Sequence, residues 1–162
     1  MRVAVRVLAL AAVLLTVAVA DAAPHRGRPT VKLDHLEFPA EVPGARFFVK
    51  RLERLLAHHA RRADWGAGRG SVIEYRFAVK ELSVVADGDV LRVTCEASGK
   101  LPSGRGAKSR ISYGGAPGKR NELVLKVLEI VSRGVVTRLA ELERIRRGEL
   151  DHRRVRAPHD AD

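Results

Sequence analysis

The stretch SVIEYRFAVKELSVVADGDVLRVTCEAS, residues 71–98, decides the fold because it predicts two long β-strands joined by a tight turn. Apolar and polar side chains alternate in residues 73–80 and again in residues 91–98. This period of two places one face of a sheet in the core and the other in water. The Asp-Gly pair at residues 87–88 lies between the two runs and favours a hairpin turn, since glycine adopts positive φ without strain. The apolar face of this hairpin needs a cover, which the rest of the chain must supply.

Two amphipathic helices are predicted to provide that cover. In residues 45–63 the apolar side chains recur at steps of three and four, which is the spacing of one helix face. The second helix has the same spacing from Asn121, its predicted N-cap, to about Arg147, and would be roughly 40 Å long. Gly134 in its middle predicts a close crossing of this helix over the sheet. Trp65, which follows the first helix, is predicted to close the core at the end of that helix.

Two shorter strands complete the predicted sheet. Residues 30–38 predict an early strand with a bulge near Asp34–His35, because the phase of the apolar side chains shifts there. Residues 107–113 alternate like the central hairpin and predict the third strand of a meander. The element order is therefore β-α-β-β-β-α. It predicts an α+β fold, a two-layer sandwich in which both helices cover one face of a mostly antiparallel sheet.

The N-terminus has the pattern of an export signal. Arg2 and Arg6 form a short positive region, and residues 7–20 follow as an uncharged run rich in Ala, Val and Leu. The Ala-Val-Ala at residues 18–20 fits the small-x-small cleavage pattern, so residues 1–20 are predicted to be a signal peptide. An uncleaved membrane anchor stays open as the alternative, although the run is shorter than the ~20 residues that a span needs.

Three regions follow the predicted signal peptide. Residues 21–29 are predicted to be a flexible leader, residues 30–147 a single α+β domain, and residues 148–162 a disordered tail. No Cys lies near the cleavage site, which argues against a lipid-anchored lipoprotein. The mature chain is predicted to lack a transmembrane span, and we expect it in the periplasm or outside the cell.

The chain is strongly basic, with 30 Lys and Arg against 19 Asp and Glu and a net charge of +11. Between Glu96 and Glu122 lies a run of cations without an acid: Lys100, Arg105, Lys108, Arg110, Lys119 and Arg120. We expect these six to form a patch that binds an anionic ligand such as lipid headgroups, lipopolysaccharide or a cell-wall polymer. Arg76, Lys80 and Arg92 would extend the patch over the exposed sheet face, which is expected to become purely basic toward Lys108 and Arg110. A solubilising charged surface is the alternative interpretation.

The sequence contains neither a Gly-x-Ser-x-Gly elbow nor a His-Glu-x-x-His zinc motif. Residues 104–109, GRGAKS, differ from a phosphate loop because a strand pattern rather than a helix follows them. His58 and His59 diverge by about 100° on a helix, so they are predicted to be packed or solvated rather than to bind a metal ion. Cys95 is in phase with the buried side of its strand and is predicted to be buried as a small apolar residue. We therefore predict no catalytic residue, cofactor or metal ion, and an enzyme of unrecognised type, whose site only folding assembles, stays open as an alternative.

The whole pattern resembles small bacterial envelope accessory proteins. The resemblance covers residues 31–147 and depends on the element order, on the alternating stretch EYRFAV at residues 74–79 and on the long C-terminal helix. Such proteins include auxiliary lipoproteins of transport systems, activators of penicillin-binding proteins and the lipopolysaccharide-assembly lipoprotein. The resemblance implies a non-catalytic adaptor without naming its partner, and we expect that partner to be an envelope protein or an anionic polymer or lipid headgroup of the envelope. This chain differs from those families in lacking a lipobox cysteine.

The α-β-β-β-α core is also similar to a double-stranded-RNA-binding domain. The stretch Gly118-Lys119-Arg120 lies at the predicted start of the last helix, where the resemblance implies contacts with backbone phosphates. The export signal and the extra first strand argue against this interpretation, so nucleic acid is not the expected partner. The sequence thus predicts an exported, non-catalytic accessory or binding module of the cell envelope. Homodimerisation through a strand edge or the long helix stays open.

Overall fold

The chain folds in the order β-α-β-β-β-α, which confirms the prediction. The computed structural model describes residues 27–68 and 70–150. Its elements are β1 (Thr30–Glu37), α1 (Ala45–Arg62), β2 (Val72–Asp87), β3 (Val90–Lys100), β4 (Gly106–Gly115), a short 3₁₀ helix (Pro117–Lys119) and α2 (Arg120–Arg146). The predicted signal peptide, residues 1–20, lies outside the described residues, and so do most of the predicted leader and most of the predicted tail.

The central hairpin forms as the alternation predicts. Strands β2 and β3 are antiparallel, and a two-residue loop joins Asp87 to Val90. Gly88 in this loop has a φ of 60°, a conformation that glycine adopts without the steric cost of a side chain. On the core side Tyr75 and Phe77 are each 1% exposed, whereas Leu82, Val84 and Leu91 nearer the turn are only partly buried.

Two bulges determine which strand residues reach the core. In β1 the register shifts between Leu33 and His35, which confirms the predicted bulge. In β2 the register shifts between Val79 and Glu81, so that the core-facing positions change from odd to even numbers. This second bulge places Glu81 opposite Glu96 on the side of the sheet away from the helices.

The four strands form one sheet in the order β1-β2-β3-β4. Strand β1 is parallel to β2, and α1 lies in the connection between them, whereas the other two pairs are antiparallel. Both helices pack against the same sheet face and against each other. The other face carries polar and charged side chains and is covered by none of the described elements, and we call it the open face.

The core is aliphatic apart from a few aromatic rings. Helix α1 contributes the fully buried Phe48, Leu52 and Leu56. Trp65 is 3% exposed, and its Nε1 donates a hydrogen bond of 2.8 Å to the carbonyl oxygen of Ala60. The indole therefore closes the core at the end of α1, which confirms the prediction.

Among the described residues, no helix is long and apolar enough to cross a membrane.

Helix α2 ends at Arg146, close to the predicted end, but its start and its closest crossing differ from the predictions. The helix begins at Arg120 directly after the 3₁₀ turn, so Asn121 is a helical residue and not the N-cap. A methyl group on Gly134 would meet Ser109 Oγ at 3.5 Å, which is ordinary contact, so Gly134 does not mark a close crossing. The close approach comes from the sheet, where a Cβ on Gly99 would lie 2.7 Å from α2 side chains.

Candidate anion-binding surfaces

The structure distributes the six cations of the predicted patch over three places. Lys100, Lys108 and Arg110 lie on the open face near the β3–β4 edge. Arg105 lies in the β3–β4 loop and donates a hydrogen bond of 3.5 Å to the carbonyl oxygen of Leu142 on α2. Lys119 and Arg120 lie at the other end of β4, at the start of α2. The six therefore do not form one continuous patch.

The open face is not purely basic toward Lys108 and Arg110, and this prediction is wrong. The guanidinium of Arg110 lies 3.5 Å from a carboxylate oxygen of Glu81 and 3.7 Å from one of Glu96. The β2 bulge is the cause, because it turns Glu81 toward β3 and β4 on this face. Lys100 and Lys108 are the other two cations of the predicted patch on the open face, and no carboxylate of the described residues lies within 4 Å of either.

The cations that were expected to extend the patch are also paired. Arg76 lies 2.8 Å from Asp34, Lys80 lies 3.0 Å from Glu37, and Arg92 lies 3.5 Å from Asp87. Lys80 holds the pKa of the Glu37 carboxyl below its usual range through a hydrogen bond and its charge. Each exposed pair contributes little stability, but it lowers the net charge that a ligand meets. Most of the open face is thus locally neutral.

Among the described residues, the largest group of unpaired cations lies on α1. Its exposed side carries six cations: Arg46, Lys50, Arg51, Arg54, Arg61 and Arg62. Glu53 is the one acid in the helix. No carboxylate of the described chain lies within 4 Å of any of the six. We call this surface the α1 basic face. The ratio of six cations to one acid in residues 45–62 is the signal that could have identified it.

An exposed aromatic ring lies at the N-terminal end of the α1 basic face. Phe47 is 46% exposed, although its neighbour Phe48 is fully buried. The guanidinium of Arg51 lies 5.7 Å from the centre of the Phe47 ring, within the range of a cation–π contact. Apolar and cationic groups are thus adjacent on this surface.

The α1 basic face continues across a groove to α2. Arg51 and Arg54 on α1 and Lys126 on α2 border a depression of about 590 Å³. Its apolar part comes from Leu55 and Leu125. Glu122 and Glu129 also line it, so both charges are present there. Lys126 is partly engaged, because its Nζ donates a hydrogen bond of 2.8 Å to the hydroxyl oxygen of Tyr113.

The pair His58 and His59 and the thiol of Cys95 are the two groups that were considered for metal binding or redox chemistry. The rings of His58 and His59 are 5.5 Å apart and inclined by 73°, and His59 is 9% exposed. Among the described residues, no three His, Cys, Asp or Glu side chains are grouped so that they could hold a metal ion. Cys95 is fully buried, which confirms its predicted position, and burial raises the pKa of its thiol to about 12.

We expect Cys95 to be almost unreactive in the folded protein. Its thiol stays protonated near neutral pH, and the thiolate is the reactive form. Labelling with a small thiol reagent at pH 8 should be at least about a hundredfold slower than labelling of the urea-unfolded chain, because the reagent must wait for an opening of the sheet. Labelling at the rate of the unfolded chain would contradict this expectation.

The comparisons with known proteins give only distant structural likenesses. No protein-family model matches the sequence, and no curated protein is significantly similar to it. A PelC dodecamer from Paraburkholderia phytofirmans has 12% identity and a TM-score of 0.41, over 70% of this chain and 89% of that chain. A minor lipoprotein from Acinetobacter baumannii has 16% identity and a TM-score of 0.34, over 71% and 91% of the two chains. A Xanthomonas campestris protein of family DUF330 has 11% identity and a TM-score of 0.40, over 80% and 94%.

One of these structures is described as a minor lipoprotein. None of the three descriptions names a transport auxiliary, an activator of penicillin-binding proteins or a lipopolysaccharide-assembly protein. With TM-scores this low, we draw no conclusion about the function or the location of this chain from them.

Proposed function

We propose that this protein is an exported, non-catalytic binding module of the bacterial cell envelope, and that the α1 basic face binds an anionic component of that envelope. The observation that carries the proposal is the set of six exposed cations on α1 with no described carboxylate within 4 Å. The export pattern of residues 1–20 supports the location.

The cations on α1 destabilise the helix rather than stabilise it. Cations at steps of four, such as Lys50 and Arg54, repel each other by about 0.2–0.5 kcal/mol per pair. Arg46 lies in the first turn, which carries no acid, and a cation there opposes the helix dipole. An anionic ligand would remove both penalties, since its negative charges would lie among these side chains.

Anionic lipid headgroups fit the α1 basic face well. A helix of 18 residues extends for about 27 Å, long enough to meet several headgroups at once. Each Lys or Arg near such a surface contributes about 1 kcal/mol of attraction. Phe47 can enter the headgroup region beside the cations, as Phe and Trp side chains do on helices that lie at a membrane surface. The apolar side of α1 stays in the core, so the contact is peripheral.

We expect the mature chain to bind vesicles that contain phosphatidylglycerol and not vesicles of phosphatidylcholine alone. Binding should weaken as salt increases, because the attraction is electrostatic. The double variant Arg51→Glu/Arg54→Glu should bind at least about tenfold more weakly, since it removes two attractions and adds two repulsions. Vesicle co-sedimentation at two salt concentrations measures these effects.

The control is Lys100→Glu/Lys108→Glu, which changes the net charge by the same amount on the open face. It should retain most of the vesicle binding. Equal losses in both variants would show that net charge alone attracts the protein, and no binding by the wild type would remove the proposal. A crosslinking experiment in intact cells then tests for an envelope protein as partner.

The double-stranded-RNA alternative makes a different prediction for the same protein. It places the phosphate contacts at Lys119 and Arg120, and in the structure Lys119 already lies 3.4 Å from Glu122. A titration with duplex RNA should show no preference over single-stranded RNA if the envelope proposal holds. Tight duplex binding that is lost in Lys119→Glu/Arg120→Glu would support the alternative.

A further inference from the structure

A polar pocket lies beside the α1 basic face, between the last turns of α1 and the middle of α2. Its volume is about 360 Å³, at the lower end of the range for small-ligand sites. The α1 side provides His58, His59, Arg62 and Ala63, and the α2 side provides Glu129, Arg133 and Thr137. The three α2 residues are spaced by four, so they form one ridge that faces the end of α1.

Two guanidinium groups border this pocket from different helices. Neither Arg62 nor Arg133 has a carboxylate within 4 Å in the described part of the chain, and Glu129, which also lines the pocket, has no cation within that distance. In contrast, further along α2 Arg138 lies 2.8 Å from Glu141. The pocket is therefore a place where two arginines from different helices remain available to a ligand.

A buried imidazole lies beside the two arginines. His59 lines the pocket and is 9% exposed, and its Nε2 is buried without a hydrogen-bond partner among the described residues. Because Nε2 is closed to solvent, the ring acts on a ligand in the pocket through its charge state rather than through a hydrogen bond from that atom. The pKa of His59 is lowered mainly by burial, and His58, Arg133 and Arg62 lower it further, whereas Glu129 opposes them. The imidazole thus lies in a locally positive environment.

We infer that this pocket binds a phosphate group, which Arg62 and Arg133 hold from opposite helices. Guanidinium groups donate paired hydrogen bonds that match phosphate oxygens. The hydroxyl of Thr137 supplies a further donor at the pocket wall, and the Glu129 carboxylate accepts a hydrogen bond from a protonated oxygen of the ligand. The inference rests on the proposed function only for the source of the phosphate, which is a lipid headgroup or a free phosphorylated compound.

Isothermal titration with inorganic phosphate tests the pocket directly. The wild type should show saturable binding of one phosphate per chain. Arg62→Gln and Arg133→Gln should each weaken it about tenfold, because each removes charge-assisted hydrogen bonds. Arg61→Gln is the matched control, since it makes the same change one residue away and Arg61 does not line the pocket. Equal losses for Arg61→Gln and Arg62→Gln, or no saturable binding, would overturn the inference.

A proton readout separates a ligand contact from a structural role. Bound sulfate, which does not titrate near neutral pH, should raise the pKa of His59, as followed by NMR of the imidazole ring protons. By linkage, sulfate should bind more tightly as the pH falls and His59 gains its proton. The charged groups that face this ring are His58 and Arg62 on α1 and Glu129 and Arg133 on α2. An unchanged His59 pKa in saturating sulfate would contradict its place in the site.

Vesicles identify the source of the phosphate group. Phosphatidic acid exposes a terminal phosphate, whereas the phosphate of phosphatidylglycerol is a diester. Tighter binding to phosphatidic acid that disappears in Arg133→Gln, a residue outside the α1 basic face, supports a lipid source, and equal binding to both lipids supports a free compound. If the wild type binds inorganic phosphate but no anionic vesicles, the proposal for the α1 basic face is overturned and the pocket stands. If it binds anionic vesicles but no inorganic phosphate, the pocket is overturned and the proposal for the α1 basic face stands.

Discussion

Replacing Glu143 with glutamine is expected to lower the free energy of unfolding by about 2 kcal/mol, since it removes a buried carboxylate whose charge strengthens its hydrogen bonds with two arginines. The Glu143 side chain is 6% exposed, and its two oxygens accept hydrogen bonds of 2.9 and 2.7 Å from Arg146 and one of 2.9 Å from Arg147. Arg147 in turn donates a hydrogen bond of 2.7 Å to the carbonyl oxygen of Ala67. Glu143 thus fixes the arginine that connects the end of α2 to the α1–β2 loop.

The control is Glu141→Gln, the same substitution two residues earlier. Glu141 pairs with Arg138 at 2.8 Å, but both side chains are about 40% exposed, as the values of 38% and 42% show. Its loss should cost no more than about 0.5 kcal/mol. Urea unfolding monitored by Trp65 fluorescence measures both. Equal costs would mean that the cluster at Glu143 contributes no more than a surface pair.

The cost of Glu143→Gln relative to the wild type should also depend on pH. Arg146 and then Arg147 lower the pKa of Glu143 below its ordinary value of 4.5, although burial opposes them. A carboxyl with a lowered pKa in the folded state stabilises the protein above the unfolded-state value, and this contribution is lost as the pH falls through the folded-state value. The difference in unfolding free energy between the wild type and Glu143→Gln should therefore narrow below about pH 4.5. A constant difference down to pH 2 would contradict the assignment.

The fold was predictable because its determinants are local. The hairpin at residues 71–98, the β1 bulge and the two helices each follow from the spacing of apolar side chains over short stretches. The helix start was missed because Pro117 begins a 3₁₀ turn that leads directly into α2, so that no side chain caps the helix. The β2 bulge was also missed, since Lys80 and Glu81 are both polar and hide the change of phase.

The candidate sites were less predictable because they depend on contacts between distant parts of the chain. Arg110 looked free in the sequence, but the β2 bulge brings Glu81 within 3.5 Å of it. The cations of α1 are visible in the sequence, yet only the fold shows that none of them meets a described carboxylate. Arg62 and Arg133 belong to different helices, and only the packing of α1 against α2 places them around one pocket.

Alanine at Gly99 and alanine at Gly134 are expected to change the stability in opposite directions, although both glycines lie where α2 crosses the sheet. A Cβ on Gly99 would lie 2.7 Å from Leu139 Cδ1 and from Val135 Cγ1. Both of these side chains are fully buried, so they have little room to move. We expect Gly99→Ala to lower the free energy of unfolding by about 2 kcal/mol, which is the usual cost of overpacking a core.

Gly134→Ala makes the same chemical change on the helix side of this crossing. A methyl group there would be in ordinary contact with Ser109 Oγ at 3.5 Å, and alanine favours a helix over glycine by about 1 kcal/mol. We therefore expect a stabilisation of up to about 1 kcal/mol, measured by the same urea unfolding. If Gly99→Ala were neutral and Gly134→Ala destabilising, the close approach of sheet and helix would lie at Gly134. The two variants together thus locate the point where the sheet and α2 come closest.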